Sequence, residues 1–212
     1  MKTFVRSLCL LIAPFLLGAC HVVTTPRPVG DTPVNMVKAE WDGTWLATGD
    51  GEDKSVFQIH VTDEAKGYSV MGAMEFKDER YTVQQMSLHL RSLATKKSGT
   101  LKLLNVLDQE SGRWYPVVLD RKGDTMTLRW MCPVKLRELA KAGKLPALPE
   151  PPAPSSTTSA TAPMPALPAD LSVHADEAFT AALEKFIVEN GPDACVNSDK
   201  EDTISAERLI KE

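Results

Sequence analysis

Short runs in which apolar and polar residues alternate fill the middle of the chain. Alternation with a period of two is typical of half-buried β-strands. The breaks between the runs are rich in Gly, Asp and Lys and are too short to hold crossover helices, so neighbouring strands are expected to pair antiparallel. The fold class predicted for residues 39–143 is mainly β, an antiparallel barrel or half-barrel with a capping C-terminal helix. About seven strands are expected, at 41–45, 57–61, 68–76, 86–90, 101–103, 114–119 and 126–130.

Helical spacing appears only after these strands. Pro133 ends the last strand, and residues 134–142 are predicted to form a short helix that stops at Gly143. A second helix is predicted at 175–190 because its apolar residues recur with helical spacing. These residues are Phe179, Leu183, Phe186 and Ile187. We expect the region 171–196 to place this helix on the β-domain.

Three segments show no periodicity. Residues 144–170 hold eight of the fifteen prolines in the chain and a Ser/Thr cluster, which predicts a disordered excursion. Residues 20–38 are polar, contain three prolines and are predicted to form a flexible tether that reaches about 60 Å when extended. The charged residues 197–212 are predicted to form a mobile tail.

The amino terminus is built like an export signal. Lys2 and Arg6 come before an apolar run at 8–17, so residues 1–19 are predicted to be a signal peptide. An ordinary cleaved signal or a membrane-spanning helix are the alternatives, although the run has about half of the roughly 20 residues that spanning needs. The motif Leu17-Gly18-Ala19-Cys20 resembles the bacterial lipobox. The resemblance implies acylation of Cys20, and His21 in place of an aspartate implies the periplasmic leaflet of the outer membrane.

The first predicted strand contains Trp41-Asp42-Gly43-Thr44-Trp45. This W-x-G-x-W pattern resembles the first strand of small lipocalin-like barrels, in which a tryptophan closes one end of the barrel. Two simple core tryptophans are the alternative. The order of parts in residues 41–195 also resembles a group of uncharacterised small bacterial lipoproteins, which implies the architecture and no activity. That likeness rests on Tyr115-Pro116-Val117, on Gly123-Asp124-Thr125-Met126-Thr127-Leu128 and on the two helices.

The charge of the chain argues against nucleic acid as a partner. Removal of residues 1–19 takes away Lys2 and Arg6 and no acid, so the formal net charge changes from −4 to −6. No basic cluster is present that would bind phosphates. The lipobox resemblance implies the membrane as one partner, through the lipid anchor, and a periplasmic protein is the other expected partner.

Two cysteines remain once Cys9 leaves with the signal and Cys20 carries lipid. In an oxidising compartment Cys132 and Cys195 are predicted to form one disulfide. Two buried free thiols or a metal site are the alternatives. A metal site is disfavoured because the sequence has neither a C-x-x-C motif nor paired histidines. No cofactor is expected.

The common catalytic motifs are absent. The sequence has no G-x-S-x-G, no H-E-x-x-H, no phosphate-binding glycine loop and no EF-hand loop, so we expect no catalytic residue and no enzyme activity. His60 and His89 fall on the polar phases of two strands and are interpreted as solvated residues, with a ligand pair as the alternative. The acidic residues Asp50, Glu52 and Asp53 are interpreted as a solvated turn, with a calcium site as the alternative.

One motif suggests a specific partner. Ser111-Gly112-Arg113-Trp114-Tyr115 resembles the S-G-x-x-Y loop of periplasmic lysozyme inhibitors, which are small β-barrel proteins. The resemblance implies that Ser111, Gly112 and Tyr115 form a hairpin tip that enters the lysozyme cleft. The alternative is an ordinary turn, because Ser-Gly is a common turn pair.

These observations predict a non-enzymatic lipoprotein of the outer membrane that binds a protein or an envelope component. One alternative is an inhibitor or immunity protein directed against a cell-wall or lipid hydrolase. The other is a carrier of an apolar ligand inside the barrel.

Overall fold

The structure, a computed structural model, describes residues 22–48, 54–77, 80–148, 172–196 and 203–211 of the 212-residue chain. The predicted signal peptide and Cys20 lie outside these residues. In chain order the elements are β1 (Val23–Thr24), β2 (Thr32–Pro33), α1 (Lys38–Trp41), β3 (Gly43–Thr48), β4 (Lys54–Asp63), β5 (Tyr68–Lys77), β6 (Arg80–Thr95), β7 (Gly99–Leu107), β8 (Trp114–Lys122), β9 (Thr125–Trp130), α2 (Pro133–Lys141), β10 (Val173–His174), α3 (Glu177–Asn190), a 3₁₀ turn (Pro192–Ala194) and β11 (Thr203–Lys211).

Eight strands close into an antiparallel barrel, so the predicted mainly β fold is confirmed. Around the barrel the order is β6, β5, β4, β3, β11, β9, β8, β7, and β7 pairs with β6 to complete the ring. The chain reverses at the predicted turns, for example at 64–67 and at 96–98. Closure leaves none of the eight strands as a free edge. Parallel pairing occurs in the described chain only between β1 and β10, two residues each, outside the barrel.

The eighth strand comes from the segment that we predicted to be a mobile tail. Residues 203–211 form β11, which pairs with β3 on one side and with β9 on the other. The prediction is therefore wrong for these residues. An inward position of β11 is occupied by the charged side chain of Arg208. The alternation of apolar and polar residues that identifies the other strands is therefore interrupted in β11.

Two hydrophobic cores lie on opposite sides of the barrel wall. The barrel interior is filled by inward-facing residues that include Trp45, Ile59, Leu88, Leu104, Val117 and Met126. The second core, called the outer core, covers the outside of β6, β7 and β8 and includes Leu93, Leu103, Val118, Leu136 and Leu183. Neighbouring residues therefore face different cores, as Leu103 and Leu104 do, which explains the continuous apolar runs of β7 and β8.

Helix α3 packs in the outer core, as its apolar stripe predicts. Its Asp176 side chain accepts a hydrogen bond from the Phe179 backbone N–H at 2.7 Å and caps the first turn. Gly191 follows the helix with φ +82°, a conformation that favours glycine. The helix lies on the side wall of the barrel. Among the described residues, no helix has the length and apolar character needed to cross a membrane.

The amino-terminal segment 22–37, which we call the strap, is packed against the barrel. Val29 and Met36 are fully buried. Asn105 on β7 accepts the Val29 N–H at 2.8 Å and donates to the Val29 carbonyl at 3.1 Å. The backbone of the strap also pairs with β8 at Thr25 and with β6 through β2. The prediction of a flexible tether over 20–38 is therefore wrong for the strap, because its backbone finds hydrogen-bond partners on strands that are distant in sequence.

An ion pair fixes the strap to α3. The Arg27 guanidinium donates two hydrogen bonds to the Glu184 carboxylate, each 2.7 Å long, and the Gly30 N–H adds one at 2.9 Å. Burial alone would raise the pKa of Glu184, but these hydrogen bonds outweigh it and the pKa is lowered. The predicted excursion also begins later than expected, because Leu145 is buried in the outer core. Residues 149–170 lie outside the described part of the chain.

Candidate functional site

A cavity of about 90 Å³ lies inside the barrel between Trp45 and one end of the ring. Its lining residues carry no charge, and Ser55 and Trp130 supply the polar side-chain atoms among them. The cavity is only partly enclosed and opens at the end of the barrel where β4 begins, at Ser55 and Val56. We call this end the mouth. The walls are formed mainly by Phe57, Ile59, Met71, Met86, Val106, Val117, Met126 and Leu128.

The opposite end of the barrel is closed. Trp45 is fully buried, and its indole N–H donates to the Trp41 carbonyl at 3.1 Å. The Arg121 guanidinium lies 4.5 Å from the centroid of the Trp41 ring, within the range of a cation–π contact. Trp41 and Trp45 belong to one cluster with the barrel interior. A tryptophan therefore lies at this closed end, which is the position that the resemblance to lipocalin-like barrels implies.

Arg208 on β11 completes the closed end and was missed from the sequence. Its side chain is 1% exposed, and its guanidinium donates to the backbone carbonyls of Ala39, at 3.0 Å, and of Asp42. Both carbonyls belong to the turn around α1, so one side chain joins the last strand to the entry of the first. The available sequence signal was the alternation of Ile204, Ala206 and Arg208, which reads as a strand only if the arginine faces inward.

A carboxylate, that of Asp108, follows the inward-facing residues of β7 at the mouth. Leu104 and Val106 face the cavity, and Asp108 follows two residues later, where its N–H still donates to the Arg113 carbonyl at 2.8 Å. The Tyr115 hydroxyl donates to Asp108 Oδ2 at 3.3 Å, and Tyr115 packs against the barrel interior. Asp108 therefore lies on the inner side of the wall, at the end of the apolar row.

The loop between β7 and β8 holds Asp108 in its ionised form. The Ser111 hydroxyl donates to Asp108 Oδ2 at 2.6 Å, and the Glu110 N–H donates to Oδ1 at 3.0 Å. The Ser111 hydrogen bond is the main cause of a lowered pKa of Asp108. Burial and the nearby Asp108 charge raise the pKa of Tyr115, so its hydroxyl stays a donor at neutral pH.

The predicted inhibitory loop lies at this hairpin tip. Ser111 and Gly112 are exposed, and Gly112 has φ +66°, which favours glycine in the turn. Tyr115 instead lies half-buried on the inner side. The fold brings the three residues together, but the Ser111 hydroxyl already donates a hydrogen bond to Asp108 within the loop. Inhibition of a lysozyme stays a prediction.

The two strand histidines have different environments. His60 is 71% exposed and lies 3.2 Å from an Asp42 carboxylate oxygen. His89 is 3% exposed and stacks on Tyr68 with ring centroids 4.1 Å apart. The sheet pairs His60 with Val70 and His89 with Tyr68, so the histidines do not face each other. The solvated interpretation is wrong for His89, whose side chain faces the outside of β6 and is covered there.

The two cysteines are close in the fold but unbridged. Met131 pairs with Val196, and the Cys132 N–H donates to the Cys195 carbonyl at 2.8 Å. Both are free thiols in the structure, which corrects the predicted disulfide. Cys195 lies in a helical turn and Cys132 in extended backbone, so the pair departs from regular strand geometry. Burial raises the pKa of Cys195 to about 12.

The described residues contain no cluster of three or more His, Cys, Asp or Glu side chains that could hold a metal ion. The acidic turn at Asp50, Glu52 and Asp53 lies outside the described ranges. In comparisons with known proteins, no protein-family model, no curated protein and no solved structure matches the chain. The function has to be inferred from the geometry of the barrel.

Proposed function

We propose that the barrel binds an apolar molecule, or the apolar chain of an amphiphile, in the cavity at its mouth. An eight-stranded barrel is just wide enough to be filled by side chains or to hold one small ligand. Protein interiors are close-packed and contain few voids larger than a water molecule. The cavity of about 90 Å³, open at the mouth and closed by Trp45 at its base, is the observation that carries the proposal.

The apolar lining of the cavity indicates the chemical class of the ligand. A polar group placed among uncharged apolar side chains would lose its hydration without gaining hydrogen bonds. A dry apolar cavity on the order of 150 Å³ accepts benzene, so the smaller volume here suits a narrow ligand such as the end of an unbranched chain. Met71, Met86 and Met126 line the cavity, and flexible methionine side chains can adjust to a longer chain.

Of the functions that the sequence left open, this proposal favours the carrier of an apolar ligand over a module that binds a protein. The lipobox resemblance adds that Cys20 anchors the protein by lipid to the periplasmic leaflet of the outer membrane. On that proposal the barrel lies close to the bilayer, because the strap is packed from Val22 onward and two residue steps span about 7 Å at most. A lipid surface would then be within reach of the protein without a long tether.

The binding test uses the chain from residue 20 with Cys20→Ser, so that no acyl chain of its own competes. This chain contains every described element. We expect it to enhance the fluorescence of the neutral probe N-phenyl-1-naphthylamine, and straight-chain alcohols to displace the probe. Each added methylene should tighten binding about fourfold, because it contributes about 0.8 kcal/mol, until the chain outgrows the cavity. Failure of the probe and of every alcohol to bind would refute the proposal.

A cavity-filling variant provides the control. Ala47 is buried and lines the cavity, so Ala47→Leu should weaken binding of the probe while the unfolding temperature stays the same or rises. Ala94→Leu makes the same change at an exposed position of β6 and should leave binding unchanged. Equal binding by both variants would place the probe outside the barrel.

The anchor has its own test. Cys20→Ser in the full chain should abolish incorporation of labelled palmitate and leave the protein unprocessed or soluble. Unchanged labelling and unchanged membrane fractionation would refute acylation at Cys20.

A further inference from the structure

We propose that Asp108 selects the polar end of the ligand, so that the barrel takes a single-chain amphiphile whose head group donates hydrogen bonds, an amine or an alcohol, in preference to a carboxylate. This inference rests on the proposed function of the cavity and adds to it the chemistry of the head group.

The position of Asp108 is the first reason. Leu104 and Val106 line the cavity, and Asp108 directly follows the last residue of β7, two positions after Val106. The contact between its Oδ2 and the Tyr115 hydroxyl, at 3.3 Å, places Asp108 on the inner side of the wall, because Tyr115 packs against the barrel interior. A chain that lies along this row would therefore bring its head group to the carboxylate.

The state of Asp108 is the second reason. The Ser111 hydroxyl and the Glu110 N–H hold the two carboxylate oxygens at 2.6 Å and 3.0 Å, which fixes their orientation. An ionised carboxylate only accepts hydrogen bonds and has about four acceptor positions. Ser111, Glu110 and the Tyr115 hydroxyl occupy three of them, which leaves one position on Oδ1 for a donor from the ligand. The negative charge attracts such a donor and repels a second carboxylate.

The neighbouring cation does not neutralise this charge. Arg113 is in the same loop, but its guanidinium donates to Thr24 Oγ1 at 2.8 Å, to the Thr24 carbonyl at 3.2 Å and to the Ala175 carbonyl. These partners belong to the strap and to the approach of α3, on the outside of the wall. The charge of Asp108 is thus left on the mouth side, and that of Arg113 is directed away from it.

The experiment compares three ligands with the same ten-carbon chain: decylamine, decanol and decanoate. Each displaces N-phenyl-1-naphthylamine from the Cys20→Ser chain at pH 7.5, below its micelle concentration. We expect decylamine to bind at least about tenfold more tightly than decanoate, as a charge-assisted hydrogen bond allows, with decanol between them.

Two variants locate the effect. Asp108→Asn removes the charge and keeps one acceptor oxygen, for the Glu110 N–H, while its NH2 group can donate to the Ser111 hydroxyl. This variant should reduce the preference for decylamine to about threefold or less. Asp120→Asn removes an exposed carboxylate from the outer face of β8 and should leave the preference unchanged. Matching unfolding temperatures show that both variants are folded.

Each outcome decides the question. Equal affinities for the three ligands, tighter binding of decanoate, or a preference that persists in Asp108→Asn would overturn the role of Asp108 while the cavity remains a binding site. Failure of all three ligands to displace a bound probe would overturn it as well. If the probe itself does not bind, the proposed function fails first and the inference fails with it.

Discussion

Arg208 shows how much of this fold depends on single residues placed far from their partners. It closes the end of the barrel by donating to the carbonyls of Ala39 and Asp42, at a sequence distance of 169 and 166 residues. A buried charge is stable in a protein only when it is paired and hydrogen-bonded. Both carbonyls accept a hydrogen bond from the guanidinium, so its loss would take a donor away from each.

We therefore predict that Arg208→Met destabilises the protein by about 2 to 5 kcal/mol, because buried acceptors lose their donor. The measurement is the free energy of unfolding in urea. Arg129→Met is the matched control, since Arg129 pairs with Asp193 in solvent and exposed pairs contribute less than about 1 kcal/mol. An equal loss in both variants would contradict the role of Arg208.

The cysteines give a second prediction at this scale. The thiolate is the reactive form, and Cys195 is fully buried with a pKa raised to about 12, whereas Cys132 is partly exposed. Iodoacetamide at pH 8 should modify Cys132 at least about tenfold faster than Cys195 in the folded protein. Peptide mass mapping over time measures both rates, and urea should make them equal. A linked Cys132–Cys195 peptide, or equal rates without urea, would contradict the free-thiol geometry.

At the scale of elements, the barrel depends on its last strand. β11 supplies pairing partners to both β3 and β9, so its removal leaves two open edges and uncovers the interior beside Trp45. Open edges also pair with other chains. The strap and α3 are a second example, because each lies on the outside of the wall and they hold each other through Arg27 and Glu184.

We predict that a chain ending at residue 202 loses cooperative unfolding and aggregates. The total stability of a domain is only about 5 to 15 kcal/mol, and removal of β11 takes away its pairing with both β3 and β9. Near-ultraviolet circular dichroism during thermal unfolding measures this, with a chain ending at residue 211 as control. A truncated chain that unfolds at the control temperature would show that the barrel closes without β11.

At the scale of the whole molecule, buried histidines should make stability depend on pH. Burial, with a smaller contribution from Arg91, lowers the pKa of His89, and burial beside Arg113 lowers the pKa of His174. In the unfolded chain histidine titrates near pH 6.5, so below this pH the unfolded state binds more protons than the folded state.

Stability is therefore expected to be level above about pH 7 and to fall as the pH decreases from 6.5 towards 5. A further loss is expected at lower pH, where Asp108 and Glu184, whose folded pKa values are lowered, become protonated. Urea unfolding across this range measures both steps. His89→Phe should reduce the first step, and His60→Phe, at an exposed position, should retain it. A first step that is unchanged in His89→Phe would exclude His89 as its source.

Local patterns in the sequence determined the wall of the barrel and its helices. The alternation in β4, β6 and β9 predicted strands because each has one apolar face, and the Gly and Asp turns between them sufficed to order the meander. The stripe of Phe179, Leu183 and Ile187 predicted α3 for the same reason. The hairpin tip at Ser111 was also predicted, since turn residues act within a few positions of each other.

Only the tertiary structure decided what closes the barrel and what it encloses. Arg208 faces inward because carbonyls near α1 accept hydrogen bonds from its guanidinium. The strap is ordered because β6, β8, Asn105 and Glu184 provide hydrogen-bond partners for its backbone. The cavity and the place of Asp108 at its mouth depend on eight strands meeting in one ring. A local sequence pattern cannot predict these contacts, because they form between residues that are far apart in the chain and meet only on folding.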